Sequence, residues 1–170
     1  RGCTALQTIE IEQPAVLNAA LVSKTNETCP ANNDGTIVMS ATGGVAPYIF
    51  TSTGLTFAGN TAAGVLAGTY VITVTDANLC TDTISITVTQ PLSLVATAST
   101  VNNVLCYGAA TGTVTVAVSA GTSPYTYLWN TIPVQTSATA TGLSAGTYTV
   151  TVSDINACTA VSSTTITQPA

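Results

Sequence analysis

Few side chains in this sequence could do chemistry. Five cysteines (Cys3, Cys29, Cys80, Cys106 and Cys158) occur without a single histidine among 170 residues. No two of them have Cys-x-x-Cys spacing, and thiols in this setting favour disulfides over zinc. Three wirings are open. Cys29–Cys80 with Cys106–Cys158 leaves Cys3 over, and Cys3–Cys29 with Cys80–Cys106 leaves Cys158. Cys29–Cys158 leaves Cys3, Cys80 and Cys106 for neighbours on either side.

The remaining candidates are weaker. Without histidine the commonest general base and metal ligand are missing. No nucleophile has a partner base, no carboxylates are paired, and no loop would cradle phosphate, so no catalytic residue, cofactor or metal site is expected. Arg1 and Lys24 are the only cations against seven acids, a net charge of −5, which excludes nucleic acid as a partner. Tyr125, Tyr127 and Trp129 alternate along one strand face, as do Tyr48 and Phe50. Such a stripe either stacks on sugar rings or fills a β-sandwich core, and the core is the commoner use. Asp76 with Asn78, and Asp154 with Asn156, have the spacing of a calcium loop, but two side chains per loop are too few. An Asx turn capping a hairpin accounts for them.

Strands must position these groups. Charged residues make up 5% of the chain, against roughly 25% in ordinary soluble domains, and threonine supplies 35 positions. Thr interleaved with Val and Ile is β-branched strand chemistry. No run of 18 apolar residues occurs, so no membrane insertion is expected. The opening Arg1-Gly2-Cys3 has neither an initiator Met nor a signal peptide and suggests a window on a longer polypeptide.

Self-similarity sets the organisation. Gln13-Pro14 recurs at Gln90-Pro91 and Gln168-Pro169, Cys29 at Cys106, and Pro47-Tyr48 at Pro124-Tyr125. Ala67-Gly68-Thr69-Tyr70 recurs at Ala145-Gly146-Thr147-Tyr148, and Cys80 at Cys158. The expected division is residues 1–14 as the last strand of a preceding repeat, then whole repeats at 15–91 and 92–170. Inside each repeat the period is two: Tyr148, Val150 and Val152 share one face while Thr147, Thr149 and Thr151 share the other. In the second repeat the runs are Leu92–Ala98, Thr113–Val118, Tyr125–Trp129, Ser137–Leu143, Thr147–Val152 and Val161–Thr167. Six or seven short half-buried strands must close into two packed sheets. The expected fold class is all-β, tandem immunoglobulin-like β-sandwich domains arranged as a rod, with abbreviated middle strands. Proline at the seam, with no Gly/Ser spacer, makes that rod stiff.

The landmarks combine into a pattern: an early Cys, a Gly-rich turn, Pro-Tyr, Ala-Gly-Thr-Tyr, then Val-x-Asp-x-x-x-Cys-Thr and a closing Gln-Pro. In this chain the last part reads Val74-Thr75-Asp76-Ala77-Asn78-Leu79-Cys80-Thr81 and Val152-Ser153-Asp154-Ile155-Asn156-Ala157-Cys158-Thr159. The pattern resembles the SprB-type repeat of very large cell-surface adhesins of gliding Bacteroidota. The resemblance implies an extracellular, cell-surface location, export through type IX secretion, and a mechanical or adhesive role. The family often has Gly before the second Cys, where this chain has Leu79 and Ala157, and the first repeat has Ser52 opposite Trp129. Asp82-Thr83-Ile84 resembles the short acceptor motif for O-linked glycans in exported proteins of that group, making Thr83 a glycosylation candidate.

Strand length ranks the cysteine wirings. In an immunoglobulin-like order the first Cys of a repeat and the later one lie in turns at opposite ends of the sandwich. Seven residues at about 3.3 Å each span about 23 Å, whereas disulfide Cα atoms lie within roughly 7 Å. In a head-to-tail rod Cys29 approaches Cys158, which ranks that pair first. The within-repeat pairs follow if the strand order differs, then seam pairs or free thiols. The sheet edges add one expectation. Residues 92–170 carry one charge, Asp154, although natural edges are usually guarded by charge or proline. Self-association into fibres, with the neighbouring repeats of the chain as further partners, would cover them. The expected role is therefore a structural segment of a surface adhesin or filament, the alternative being a carbohydrate-binding module for surface glycans.

Overall fold

A computed structural model describes residues 5–170, which leaves Cys3 outside the described residues. The described residues form thirteen strands and no helix, and so no helix long and apolar enough to cross a membrane. They divide into two compact units. One takes the residues up to Asn26 together with Asp34–Val88; the other takes Glu27–Asn33 and Thr89–Ala170. Residues 5–14, within the segment expected to be a preceding repeat's last strand, form no strand.

The first unit has seven strands: β1 (Asn18–Thr25), β2 (Gly35–Thr42), β3 (Ile49–Thr51), β4 (Phe57–Ala58), β5 (Thr61–Val65), β6 (Gly68–Thr75) and β7 (Thr81–Val88). One sheet has the order β1-β2-β5-β4 and the other β3-β6-β7, with antiparallel pairing throughout. That is the seven-strand arrangement of constant-type immunoglobulin domains. The core lies between the sheets, where period two turns Ile37 and Met39 of β2 and Ala62 of β5 towards Ile72 and Val74 of β6.

The second unit repeats the plan with β8 (Val95–Asn102), β9 (Gly112–Ser119), β10 (Thr126–Trp129), β11 (Thr139–Leu143), β12 (Gly146–Ser153) and β13 (Thr159–Ile166). Its sheets are β11-β9-β8 and β10-β12-β13, without a counterpart of β4. Just ahead of that place lies Ile132-Pro133, and proline cannot donate to a ladder. The Gln135 side-chain amide substitutes for the missing strand: its Nε2 donates to Thr141 O at 2.9 Å and its Oε1 accepts from Thr141 N at 3.0 Å. The first strand runs Val95–Asn102 rather than the expected Leu92–Ala98. Leu94 is a core residue set before the strand, and β8, at a sheet edge, has weak inside–outside contrast.

Threonine does on the surface what charge does elsewhere. Thr69 and Thr87 pair hydroxyls at 2.9 Å across β6 and β7, Thr115 and Thr139 at 3.1 Å across β9 and β11, and Thr149 and Ser163 at 2.8 Å across β12 and β13. Cross-strand hydroxyl pairs of this kind each contribute about 0.2–1 kcal/mol. Two edges are closed by the opposite sheet: Ala19 N of β1 donates to Asp82 Oδ2 at 2.7 Å, and Ala98 N of β8 donates to Ser162 Oγ at 2.9 Å.

Candidate functional site

Each unit has the same buried acid at the turn before its last strand. Asp154 Oδ1 accepts from Asn156 N and Cys158 N, each at 2.9 Å, and Oδ2 accepts from Thr122 N at 2.9 Å. Asp76 does the same with Asn78 N (2.9 Å), Cys80 N (2.8 Å) and Val45 N (2.9 Å). The turn is the expected Asx turn, but it also reaches across to the Gly-rich turn between the second and third strands. Gly44 and Gly121 make that approach possible. Both have positive φ, and a Cβ there would lie 2.7 Å from Asp76 Oδ2 and 3.2 Å from Asp154 Oδ2 respectively. Because both carboxylate oxygens already serve backbone N–H groups, neither loop presents a free set of calcium ligands. Among the described residues no group of three or more His, Cys, Asp or Glu could hold a metal.

The acid's ionisation is tied to this cradle. The Val45 N–H above all, then those of Cys80 and Asn78, hold the Asp76 carboxyl below its ordinary value of 3.8, against burial, which pushes it up. A carboxyl depressed in the folded state contributes stability that is complete above its unfolded pKa of about 3.9 and is lost as pH falls through the lower folded value. Urea midpoints of the first unit should therefore be level from pH 7 to about 5 and fall below about pH 4. Asp76→Asn should flatten that fall, and an unchanged acid limb in the variant would remove Asp76 as its cause.

The residue before each turn cysteine has a left-handed backbone, with φ 65° at Leu79 and 64° at Ala157. This explains why glycine suits the position. Left-handed φ costs an L-residue about 1–2 kcal/mol, and glycine returns about 0.4–1 of that through its freer unfolded chain. Leu79 is exposed, so it forfeits little packing. Leu79→Gly should stabilise the first unit by about 0.5–1 kcal/mol, read as a higher urea midpoint; a lower one would refute the strain.

Cys158 of this turn is bonded to Cys29, with Cα atoms 5.6 Å apart. Cys29 lies in Glu27–Asn33, the segment between β1 and β2 that belongs to the second unit. Glu27 N donates to Thr89 O at 3.0 Å, the buried Glu27 side chain accepts from Asn33 N at 2.9 Å, and Asn32 N closes a turn onto Cys29 O at 3.1 Å. The Thr28 carbonyl oxygen rests 3.4 Å from Cys158 Sγ. With Cys29 and Cys158 joined, Cys29–Cys80 and Cys106–Cys158 are excluded as bridges, as is Cys3–Cys29. Cys80 and Cys106 are exposed free thiols, so the Cys80–Cys106 bridge is absent too.

The aromatic stripe is turned inward. Trp129 is 1% exposed and donates from Nε1 to Ser137 O at 2.9 Å; Tyr125 and Tyr127 are partly buried against the same core. Trp129 therefore offers no face to a sugar, and the exposed platform that a glycan-binding module would need is not formed by it. In the first unit Ser52 takes the tryptophan's place with a buried, unpartnered hydroxyl, and Phe50 with Phe57 fills space at a ring separation of 6.1 Å. Tyrosine hydroxyls pin the corners: Tyr70 donates to Leu66 O at 2.9 Å and Tyr148 to Ser144 O at 3.0 Å. That is the tyrosine corner of immunoglobulin-like domains, a use of Ala-Gly-Thr-Tyr that strand periodicity does not disclose. Thr83 is exposed on β7, beside the Asp82 engaged with Ala19.

Strand order, tyrosine corners and an acid-anchored turn define the chain as a pair of immunoglobulin-like sandwiches built from one repeat. The SprB repeat family model matches it at two places, residues 21–56 and 98–134. No curated protein matches its sequence. Among solved structures, the chain is similar to the three N-terminal domains of the bacteriophage RB49 highly immunogenic outer capsid protein. The identity is 18%, covering 90% of this chain and 59% of that one, with a TM-score of 0.50. A C-terminal fragment of intimin, solved with the intimin-binding domain of its translocated receptor, gives 16% identity, 93% and 64% coverage, and a TM-score of 0.40. Domains 4–9 of the surface layer protein SbsC give 18%, 94%, 31% and 0.34. The chain thus spans less than two thirds of the length of each of these structures, and the likeness to the capsid protein is one of fold.

Proposed function

We propose that this chain is a structural repeat segment of a secreted cell-surface adhesin or extracellular filament, supplying reach and mechanical stability rather than catalysis. The observation that carries the reading is the Cys29–Cys158 bond, whose partners are 129 positions apart in sequence. Tension entering at the N-terminus reaches Cys29, crosses to Cys158 and leaves through β13, bypassing everything between. A covalent bypass of this kind suits a tether. The SprB repeat matches support the surface location, and with it export through the type IX pathway. Each repeat, 15–91 and 92–170, is read as one module of that segment. The hydroxyl-coated, nearly uncharged faces favour lateral packing into fibres, and Thr83 is open to glycan attachment.

Single-molecule pulling on the chain held by its two ends tests the reading. The oxidised chain should withhold the span between the cysteines, a separation of 129, and reduction should release roughly 430–460 Å of extra contour at about 3.3–3.6 Å per residue. Equal extension with and without reductant would overturn the mechanical role.

A further inference from the structure

Resting on that reading, we infer that Cys80 and Cys106 are the two complementary halves of a covalent end-to-end joint, in which the Cys80 turn of one repeat pair receives the Cys106 loop of the adjoining pair. The formed bond supplies the template for both halves. Around Cys158 the receiving surface is made by Ser93, Leu94, Ala157 and Thr159, and the loop bearing Cys29 and Pro30 sits against it. The first unit has the same surface without the loop: Val16, Leu17, Asp76, Asn78 and Thr81 line a groove at Cys80. Its turn geometry matches, with Asp76 N donating to Cys80 O and Asp154 N to Cys158 O, each at 3.0 Å, and with left-handed backbone at Leu79 and Ala157. What differs is cover. Cys158 is 8% exposed, whereas Cys80 is an exposed thiol beside exposed Leu79 and Val16.

The inserting half is preformed in the same way. Ala109 N closes a turn onto Cys106 O at 3.1 Å, as Asn32 N does onto Cys29 O. Val104 N donates to Thr167 O at 3.0 Å, as Glu27 N does to Thr89 O. Gly108 has φ 74° where Ala31, at the equivalent place, has φ 59°. This loop leaves Leu105 and Tyr107 exposed on either side of Cys106. Cys106 thus has two apolar side chains beside it on an open loop and Cys80 two more at an open groove, where the joined pair has Thr28 and Pro30 against Ser93 and Ala157.

Coupling joins Cys80 Sγ to Cys106 Sγ of the adjoining pair. The two thiol protons and two electrons pass to a low-molecular-weight disulfide such as oxidised glutathione, which departs as two thiols. Both cysteines are exposed, so serine replacements leave the fold intact. In a Cys3→Ser background, chains bearing Cys80→Ser and chains bearing Cys106→Ser are incubated in glutathione redox buffer, separately and mixed. The mixture should form a disulfide dimer at least tenfold faster than either alone and stop there, with peptide mapping linking Cys80 to Cys106; the chain retaining both thiols should form a ladder. Equal dimerisation of either variant alone, Cys80–Cys80 or Cys106–Cys106 links, or a mixture that stays monomeric would overturn the joint. The pulling result is independent of this one, since it reads Cys29–Cys158 within a single chain.

Discussion

Reducing the Cys29–Cys158 bond, or replacing Cys29 with serine, should lower the unfolding free energy of the second unit by about 4 kcal/mol. A cross-link acts chiefly on the unfolded chain, and one closing about 100 residues is worth about 4.7 kcal/mol on the chain-entropy account. Here the partners are 129 residues apart, so 4–5 kcal/mol is roughly the ceiling and native-state relaxation takes a little of it. Against a typical domain stability of about 5–15 kcal/mol this is a large share. At a urea m-value of roughly 2 kcal/mol/M it shifts the midpoint by about 2 M. Without the bond, Glu27–Asn33 is held by the Glu27 N to Thr89 O contact and by its own turn. Cys80→Ser is the control and should leave the midpoint in place, because that thiol is free. Coincident transitions in the presence and absence of reductant would show that the cross-link restrains nothing.

Structure is legible in the residues alone wherever the signal is local. β2, β6, β9 and β12 are central strands, each flanked by two neighbours, and their Val/Ile–Thr alternation reports a real inside and outside. β8 starts later than its residues suggest, because an edge strand shares its faces less cleanly and Leu94 mimics a strand residue while plugging the core from a loop. Asp76 and Asp154 looked like loop acids because the Asx bonds are two and four residues away. Their third bonds reach back 31 and 32 residues to Val45 and Thr122, a distance at which no local pattern speaks. The Gly-rich turn and the aspartate do recur together in both repeats, and that joint recurrence was the available signal. Nor does Ser52 announce that Phe57, from another strand, pairs its ring with Phe50 against the first core. Gln135 standing in for a strand is invisible to propensity, since a side chain rather than a backbone makes the pair.

Asp154→Ala should cost the second unit about 4 kcal/mol, close to the effect of losing the cross-link, by a different route. Three backbone N–H groups, on Thr122, Asn156 and Cys158, would lose their acceptor at once. A donor left buried and unsatisfied costs about 1–3 kcal/mol; Cys158 N is buried outright while the other two are partly so, which places the sum near the lower end of three such penalties plus the carboxylate's charge-assisted share. Asp154→Asn separates the two oxygens' roles. Its carbonyl can keep the Asn156 and Cys158 contacts, but its amide presents donors to the Thr122 N–H, so it should lose roughly half as much. Because the same carboxylate positions the backbone of Cys158, both variants should also make the Cys29–Cys158 bond easier to reduce, with Ala exceeding Asn. Urea unfolding of the oxidised variants and a glutathione titration of the bond read the two effects separately. A variant that loses stability while its bond resists reduction as before would confine Asp154 to holding the Gly121 turn and deny it any part in presenting the cysteine.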